Sequence, residues 1–276
     1  MKTKKSVKIL SRLFIAICLV VSMAPIYWML NTSFKEQAEI YSRIPTLFPQ
    51  NFSLESYKTL ITGTAFLTGL KNSLIVAFVV SAFSLLVAYP AAYTLARIKF
   101  KGRQAFSRGI LFTYLLPTSV LYIPLYIFVA KAGLTDNILG LILIYPTFTL
   151  PYVAWILIPH IASIPTDIEE AATVDGCSKF RIMYQIIFPL ALPGIVSTTI
   201  FAFAMCWGEY LYALVNVTKT SMQTFPLMIA GLIFGDMYPW GQLMAGAILA
   251  CVPILIIYMF ASGSMVGGAT EGGVKM

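Results

Sequence analysis

The sequence predicts an all-α integral membrane protein with six transmembrane helices, and three observations carry that prediction. Of its 276 residues, 59% are hydrophobic and only 11% charged, against about 25% charged in an average soluble domain. The apolar residues fall in runs long enough to cross a bilayer at roughly 20 residues each. The basic residues cluster beside alternate runs, which is the signature of membrane topology.

The first run, about 13–31, follows a start rich in lysine at Lys2, Lys4, Lys5 and Lys8. A cleaved signal peptide would begin the same way. Here the run continues through Ile26 to Leu30, and Pro25 stands directly after Ala24, the one plausible small-residue site, so a retained helix is expected. The second run is about 72–96 and closes on Arg97. The third, fourth and fifth, about 107–130, 139–160 and 190–215, are opened or interrupted by Pro117, Pro124, Pro146, Pro151 and Pro193. Proline is tolerated in such helices where neighbours satisfy the freed carbonyls. The sixth is about 242–263. Three parts are expected: residues 1–68 with the first helix and a long loop, a core at 69–263, and a tail at 264–276.

The net charge of +8 would suit nucleic acid, but its distribution does not. Lys2, Lys4, Lys5, Lys8 and Arg12 precede or open the first run. Arg97, Lys99, Lys101, Arg103 and Arg108 follow the second with no acid among them. With Lys179, Arg181 and Lys275, these put 13 of 19 basic residues on one side of a six-span chain. The positive-inside rule places that side, both termini included, in the cytoplasm. Cys18, Cys177, Cys206 and Cys251 are scattered singly and His160 is the only histidine, so the residues suggest neither a zinc site nor a disulfide framework. The cysteines are expected to be small packing residues.

One polar interruption, residues 165–190, is built as more than a connection. Thr166 and Glu169 have the spacing of a capping box, and Asp167, Glu169 and Glu170 suit the positive end of a helix dipole. Gly176 falls where a short helix needs a left-handed residue after its end. A second short helix from Ser178 would align Phe180, Met183, Tyr184 and Ile187 in one apolar stripe. The result is a helix, a sharp turn and a helix. An amphipathic linker on the bilayer surface is the plainer alternative.

Glu170-Ala171-Ala172, three residues to Gly176, nine more to Ile186, then Phe188-Pro189 closely resemble the EAA loop of permeases of binding-protein-dependent ABC importers. Asn72-Ser73-Leu74, the stretch Ala91 to Arg97, Phe100 to Arg103, Pro124-Leu125-Tyr126, Gly133 to Asn137 and the tail Gly267 to Lys275 extend the resemblance over nearly the whole chain. They are similar to the second membrane subunit of maltose-type carbohydrate importers. Phe188 stands where leucine is usual and Cys177 where a small residue is common. The resemblance implies the ABC transmembrane type-1 (type I importer) fold in a bacterial or archaeal plasma membrane. It also implies the partners: a second permease subunit, two copies of an ABC ATPase and an extracytoplasmic solute-binding protein. The expected cargo is a sugar or oligosaccharide, with a solute such as glycerol-phosphate as an alternative. The coupling residues it implies are Glu170, Ala171, Ala172, Asp175, Gly176, Phe180, Ile186, Phe188 and Pro189.

No glycine is followed by lysine, so a phosphate-cradling Walker loop is lacking and ATP hydrolysis is expected from a separate subunit; no cofactor or metal is called for. A gradient-driven transporter would show repeated halves and ionisable groups at midplane, and neither is visible. Glu209 is the one plausible buried acid, too little for an intramembrane enzyme. With Trp207 and Tyr210 it makes a possible contact to a sugar in the path, where a carboxylate takes hydroxyls and rings stack on a pyranose. A straight helix from Pro189 would put Glu209 roughly 30 Å along the axis, which also fits an interfacial acid in an aromatic belt. The loops at 32–70 and 217–241, the latter with Asp236, Tyr238, Pro239 and Trp240, suit either docking of the binding protein or plain solvated connection.

Overall fold

The computed structural model of the chain describes residues 5–271, with side chains from Lys8 to Ala261. Lys2, Lys4 and the tail residues Gly272 to Lys275 named above lie outside the described residues. Regular structure within them is helical, and β pairing is confined to two isolated bridges, Lys35 with Phe52 and Phe234 with Met237. The main helices are α1 (Lys5–Ser33), α2 (Gln37–Ile40), α3 (Glu55–Gly63), α4 (Phe66–Arg97), α5 (Arg103–Leu115), α6 (Thr118–Lys131), α7 (Ile138–Ile144) and α8 (Pro146–Ala162). They continue as α9 (Asp167–Val174), α10 (Lys179–Arg181), a π-helical turn (Ile182–Ile187), α11 (Phe188–Leu190), α12 (Leu192–Trp207), α13 (Leu211–Asn216), α14 (Phe225–Ala230) and α15 (Trp240–Glu271).

Four stretches are long and apolar enough to cross a membrane: Lys8–Ser33, Phe66–Arg97, Ile138–Ala162 and Trp240–Ala261. The two others expected as single spans are broken. α5 and α6 meet at 92°, because Pro117 excludes the helical conformation from the residue before it, and Leu116 takes φ −63°, ψ 131°. The chain from Lys179 to Leu190 meets α12 at 79°, and α12 stops at Trp207, well short of residue 215. The chain is thus a multi-pass membrane protein with four candidate spans, or six where each bent pair counts as one.

Two compact units divide the chain: Met1–Leu67 with Ile229–Val252, and Thr68–Met228 with Pro253–Met276. Residues 229–252 therefore group with 1–67 rather than with the rest of 69–263. In the first unit no residue in the apolar window of α1 is buried, with Phe14 66% and Val20 69% exposed; lipid or another subunit must cover it. The loop after α1 is ordered around Lys35. Its ammonium donates to the Thr46 carbonyl at 2.6 Å, pairs with Glu39 at 3.9 Å and lies over the Trp28 ring. Glu39 also accepts from the Thr46 hydroxyl and the Gln50 N–H. The segment is a folded cap, more than a solvated strap.

The second unit has two apolar cores. One gathers Val80, Leu141, Tyr145, Trp207 and Tyr212; the other gathers Tyr89, Tyr93, Leu157, Ile161, Ile182 and Ile187. A buried hydroxyl pair, Ser84 with Thr149 at 2.7 Å, joins α4 to α8. Asn72 donates to the carbonyls of Ser221 and Gln223, and Ser73 accepts from the Phe225 N–H, tying the start of α4 to the 221–225 segment. Of the cysteines Cys206 is buried and Cys177 packs half-buried against the second core, as expected, while Cys18 and Cys251 are exposed.

Asp136 clips the corner between α6 and α7 to the segment after α13. One carboxylate oxygen accepts from the Thr218 N–H (2.5 Å), the Thr218 hydroxyl (2.8 Å) and the Lys219 N–H (2.9 Å). Hydrogen bonds to the charged form favour it, so its pKa lies below the ordinary 3.8. A depressed carboxylate contributes stability above its unfolded pKa and loses it as pH falls through the folded value. Protection of the 216–219 amides from hydrogen exchange is expected to be level from about pH 5 to pH 8 and to fall only under stronger acid. Asp136→Ala should show the low protection at every pH, and a wild-type profile in that variant would refute the clip.

Candidate functional site

Residues 165–190 fold as the expected helix, turn and helix, and the turn has a physical signature. Gly176 has φ +81°. The Cys177 N–H donates to the Ala172 carbonyl and the Gly176 N–H to the Thr173 carbonyl, both at 3.0 Å. These are the two bonds of a Schellman motif, which satisfy carbonyls a helix end leaves open. Ser178 begins the second helix by accepting from the Arg181 N–H.

Two expectations for this loop are corrected. Thr166 does not cap: its backbone is already helical (φ −68°, ψ −25°) and its side chain makes no capping bond. Glu169 instead reaches α4. Its carboxylate accepts from Arg97 Nε in an ion pair and from the Tyr93 hydroxyl at 2.8 Å, while Arg97 Nη2 donates to the Ile164 carbonyl at 2.7 Å. The expected α-helical stripe is also re-registered. The chain runs as a π-helix from Ile182 to Ile187, and bonds spanning five residues turn Ile182 and Ile187 inward together, both within the second core. Phe180 is left 70% exposed, its ring tilted against that of Tyr184. Tyr89 of α4 completes the seat: its hydroxyl donates to the Met183 carbonyl at 2.6 Å and its ring meets Phe188 edge-on.

The plug is therefore held from inside by Tyr89, Tyr93 and Arg97, with Ala172 buried and Ile186 and Phe188 half-buried beneath it. Glu170, Ala171, Asp175 and Pro189 face outward. Beside them stand two bare apolar groups, Val174 at 88% and Phe180 at 70% exposure. Arg97 and Tyr93 were not legible as loop partners because they lie over seventy positions away; a base ending an apolar run was the available signal.

The second candidate group is differently placed. Trp207 is buried and stacks on Phe203, and Tyr210 packs half-buried against the first core. Glu209 lies between α12 and α13, where its carboxylate accepts from the Tyr145 hydroxyl (2.6 Å) and the N–H groups of Tyr212 (2.7 Å) and Ala213 (3.2 Å). It thus caps α13 and fixes that helix to the kink between α7 and α8. The depth argument from an unbroken helix fails, because α12 has 16 residues, about 24 Å, and begins beyond the bend at Ala191.

The described residues form a helical multi-pass membrane protein in which a helix–turn–helix is seated against α4. The chain belongs to the family of binding-protein-dependent transport system inner membrane components, whose profile matches residues 84–266. It is 36% identical to the diacetylchitobiose uptake system permease protein DasC of Streptomyces coelicolor, over 91% of each chain. It is 30% identical to the trehalose/maltose transport system permease protein MalG of Thermococcus litoralis, over 93% of this chain and 92% of that one. Among solved structures it matches a chain of a bacterial ABC transporter involved in the import of the acidic polysaccharide alginate. That match has a TM-score of 0.77 at 21% identity and covers 95% of this chain and 99% of that one. It shows a shared fold.

Proposed function

We propose that the chain is one of two permease subunits of an ABC importer, lining half of the path for a sugar or oligosaccharide and driven by a separate ATPase. The observation that carries this reading is the loop 165–190: a plug braced from within by Arg97, Tyr93 and Tyr89 that leaves Glu170, Val174 and Phe180 outward. A rigid element with bare apolar groups beside a carboxylate fits a cleft with an apolar floor and N–H or basic donors at its rim. Six spans with both termini and this loop in the cytoplasm follow from the basic residues at 97–108, and the cap around Lys35 would then face the solute-binding protein. Uptake of diacetylchitobiose and of trehalose or maltose by the systems of its relatives supports a carbohydrate cargo. Glu209, held to Tyr145, forms with Trp207 and Tyr210 the candidate contact to a sugar in the path.

Co-purification tests the assignment. The chain expressed with its neighbouring transport genes is expected to carry an ATPase subunit through two affinity steps, and Glu170→Lys to reduce that recovery several-fold while leaving the chain in the membrane. A chain that purifies without an ATPase, yet transports on an ion gradient alone, would overturn the reading.

A further inference from the structure

Three chain junctions in the second unit lie between the same two groups of helices. α6, α7 and α13 pack on one another, while α8 packs on α5 and α12. The chain passes from one group to the other at Leu116–Pro117, at Tyr145–Pro146 and at Gly208–Tyr210. The first junction bends by 92°. At the second, Pro146 removes the backbone N–H that would continue α7 into α8. At the third, α12 stops and Tyr210 leaves the regular helical conformation at φ −121°, ψ −43°. Hinges form where element ends such as these absorb changes of φ and ψ.

Side chains join these junctions in series. At the third, the Glu209 carboxylate accepts from the Tyr145 hydroxyl of the second, at 2.6 Å. It also accepts from the N–H groups of Tyr212 (2.7 Å) and Ala213 (3.2 Å) at the start of α13. The Tyr212 hydroxyl in turn donates to the carbonyl of Thr118, the first residue of α6, at 3.1 Å. Tyr212 is fully enclosed, its ring edge-on to Tyr122 of α6 and stacked on Phe148 of α8. Buried polar groups are costly unless each finds a partner, and these find theirs at the neighbouring junction.

We infer that Tyr145, Glu209 and Tyr212 latch the three junctions into one hinge, about which α6, α7 and α13 shift together against α5, α8 and α12. Glu209 and Tyr212 are positioning residues in this device. A turn at any one junction stretches the series, so it must carry the other two with it or break a buried bond. Tyr212 is the central link, because its N–H serves Glu209 while its hydroxyl serves α6. The inference rests on the second unit alone. It holds whatever the cargo, and whether or not a sugar reaches Glu209.

Hydrogen exchange on the full chain in lipid nanodiscs, read over 118–122, 145–149 and 209–214, tests the latch. Tyr145→Phe and Tyr212→Phe each remove one hydroxyl and keep the ring. Either is expected to speed exchange about fivefold at all three junctions, the factor one buried hydrogen bond supplies. Exchange across 167–187 should stay at the wild-type rate, which separates the latch from general loosening. The double variant should add little to either single one, because a series already broken cannot be broken again. Glu209→Gln should have the same reach, since an amide cannot accept on both sides. Tyr89→Phe, which removes a hydroxyl bond to the Met183 carbonyl, should leave all three junctions unchanged. Faster exchange only beside the removed hydroxyl, additive effects in the double variant, or no change in either single variant would each overturn the proposal.

Discussion

Glu169→Ala is expected to abolish solute-stimulated ATP hydrolysis and to lower uptake at least tenfold while the subunit still inserts. The pair it breaks is largely shielded: the Arg97 and Glu169 side chains are 9% and 15% exposed. Removing one partner of such a pair leaves the other uncompensated, at about 3 kcal/mol. That is enough to free the first helix of the plug from α4 without unfolding either core. The three groups around the pair should rank by what each holds. Arg97→Ala should be at least as severe, because Arg97 also satisfies the Ile164 carbonyl at the end of the chain leaving α8. Tyr93→Phe removes one hydrogen bond, about 1 kcal/mol, and should retain most activity. Exchanging the charges, Arg97→Glu with Glu169→Arg, should not restore function, since no donor would then face Ile164. Uptake and hydrolysis in the same vesicles, with hydrogen exchange across 165–190, check the order. Wild-type exchange and activity in Glu169→Ala would show that the plug does not hang on α4 through this pair.

That pair also marks where the sequence stopped being readable. Spans were legible because a bilayer imposes length and hydropathy on any crossing segment, and the long helices α4 and α15 arose on the apolar runs Phe66–Arg97 and Trp240–Ala261. The break at Leu116–Pro117 follows from one local rule, yet hydropathy alone passes over it. Within the loop, Gly176 and Ser178 were legible since turn and cap chemistry are local. Glu169 was not: its spacing from Thr166 satisfied a local motif, while its actual partners sit on a distant helix. The π-helical register was hidden for a different reason. Ile182, Met183, Tyr184, Ile186 and Ile187 are all apolar, so several faces look equally fit for burial, and the seat offered by Tyr89 decides which turn inward. Glu209 shows the same limit. An acid among aromatics suggests a sugar contact, and the three hydrogen bonds its carboxylate accepts within the protein could not be read from the sequence.

Gly176→Val is expected to separate hydrolysis from transport by a backbone effect alone. A valine there would meet no neighbour within 4 Å of its β-carbon, so collision of the β-carbon within the chain is excluded as a cause. What remains is the left-handed backbone at φ +81°, which costs a β-branched residue about 1–2 kcal/mol. The chain can escape that cost only by undoing the bonds from Gly176 and Cys177 to the end of α9. Doing so swings Glu170 and Val174 relative to Phe180 and spoils the outward face of the plug. Asparagine tolerates the left-handed region, so Gly176→Asn should keep both turn bonds and near wild-type coupling, with Gly176→Ala between the two. The comparison isolates conformation from composition: valine and asparagine are of similar size, and both point into open space. If uptake per ATP falls with valine and not with asparagine, the fixed angle between the two short helices transmits the stroke. If both variants match the wild type, the outward groups must act independently of that angle, and coupling would have to reside in Glu170, Val174 and Phe180 as separate contacts.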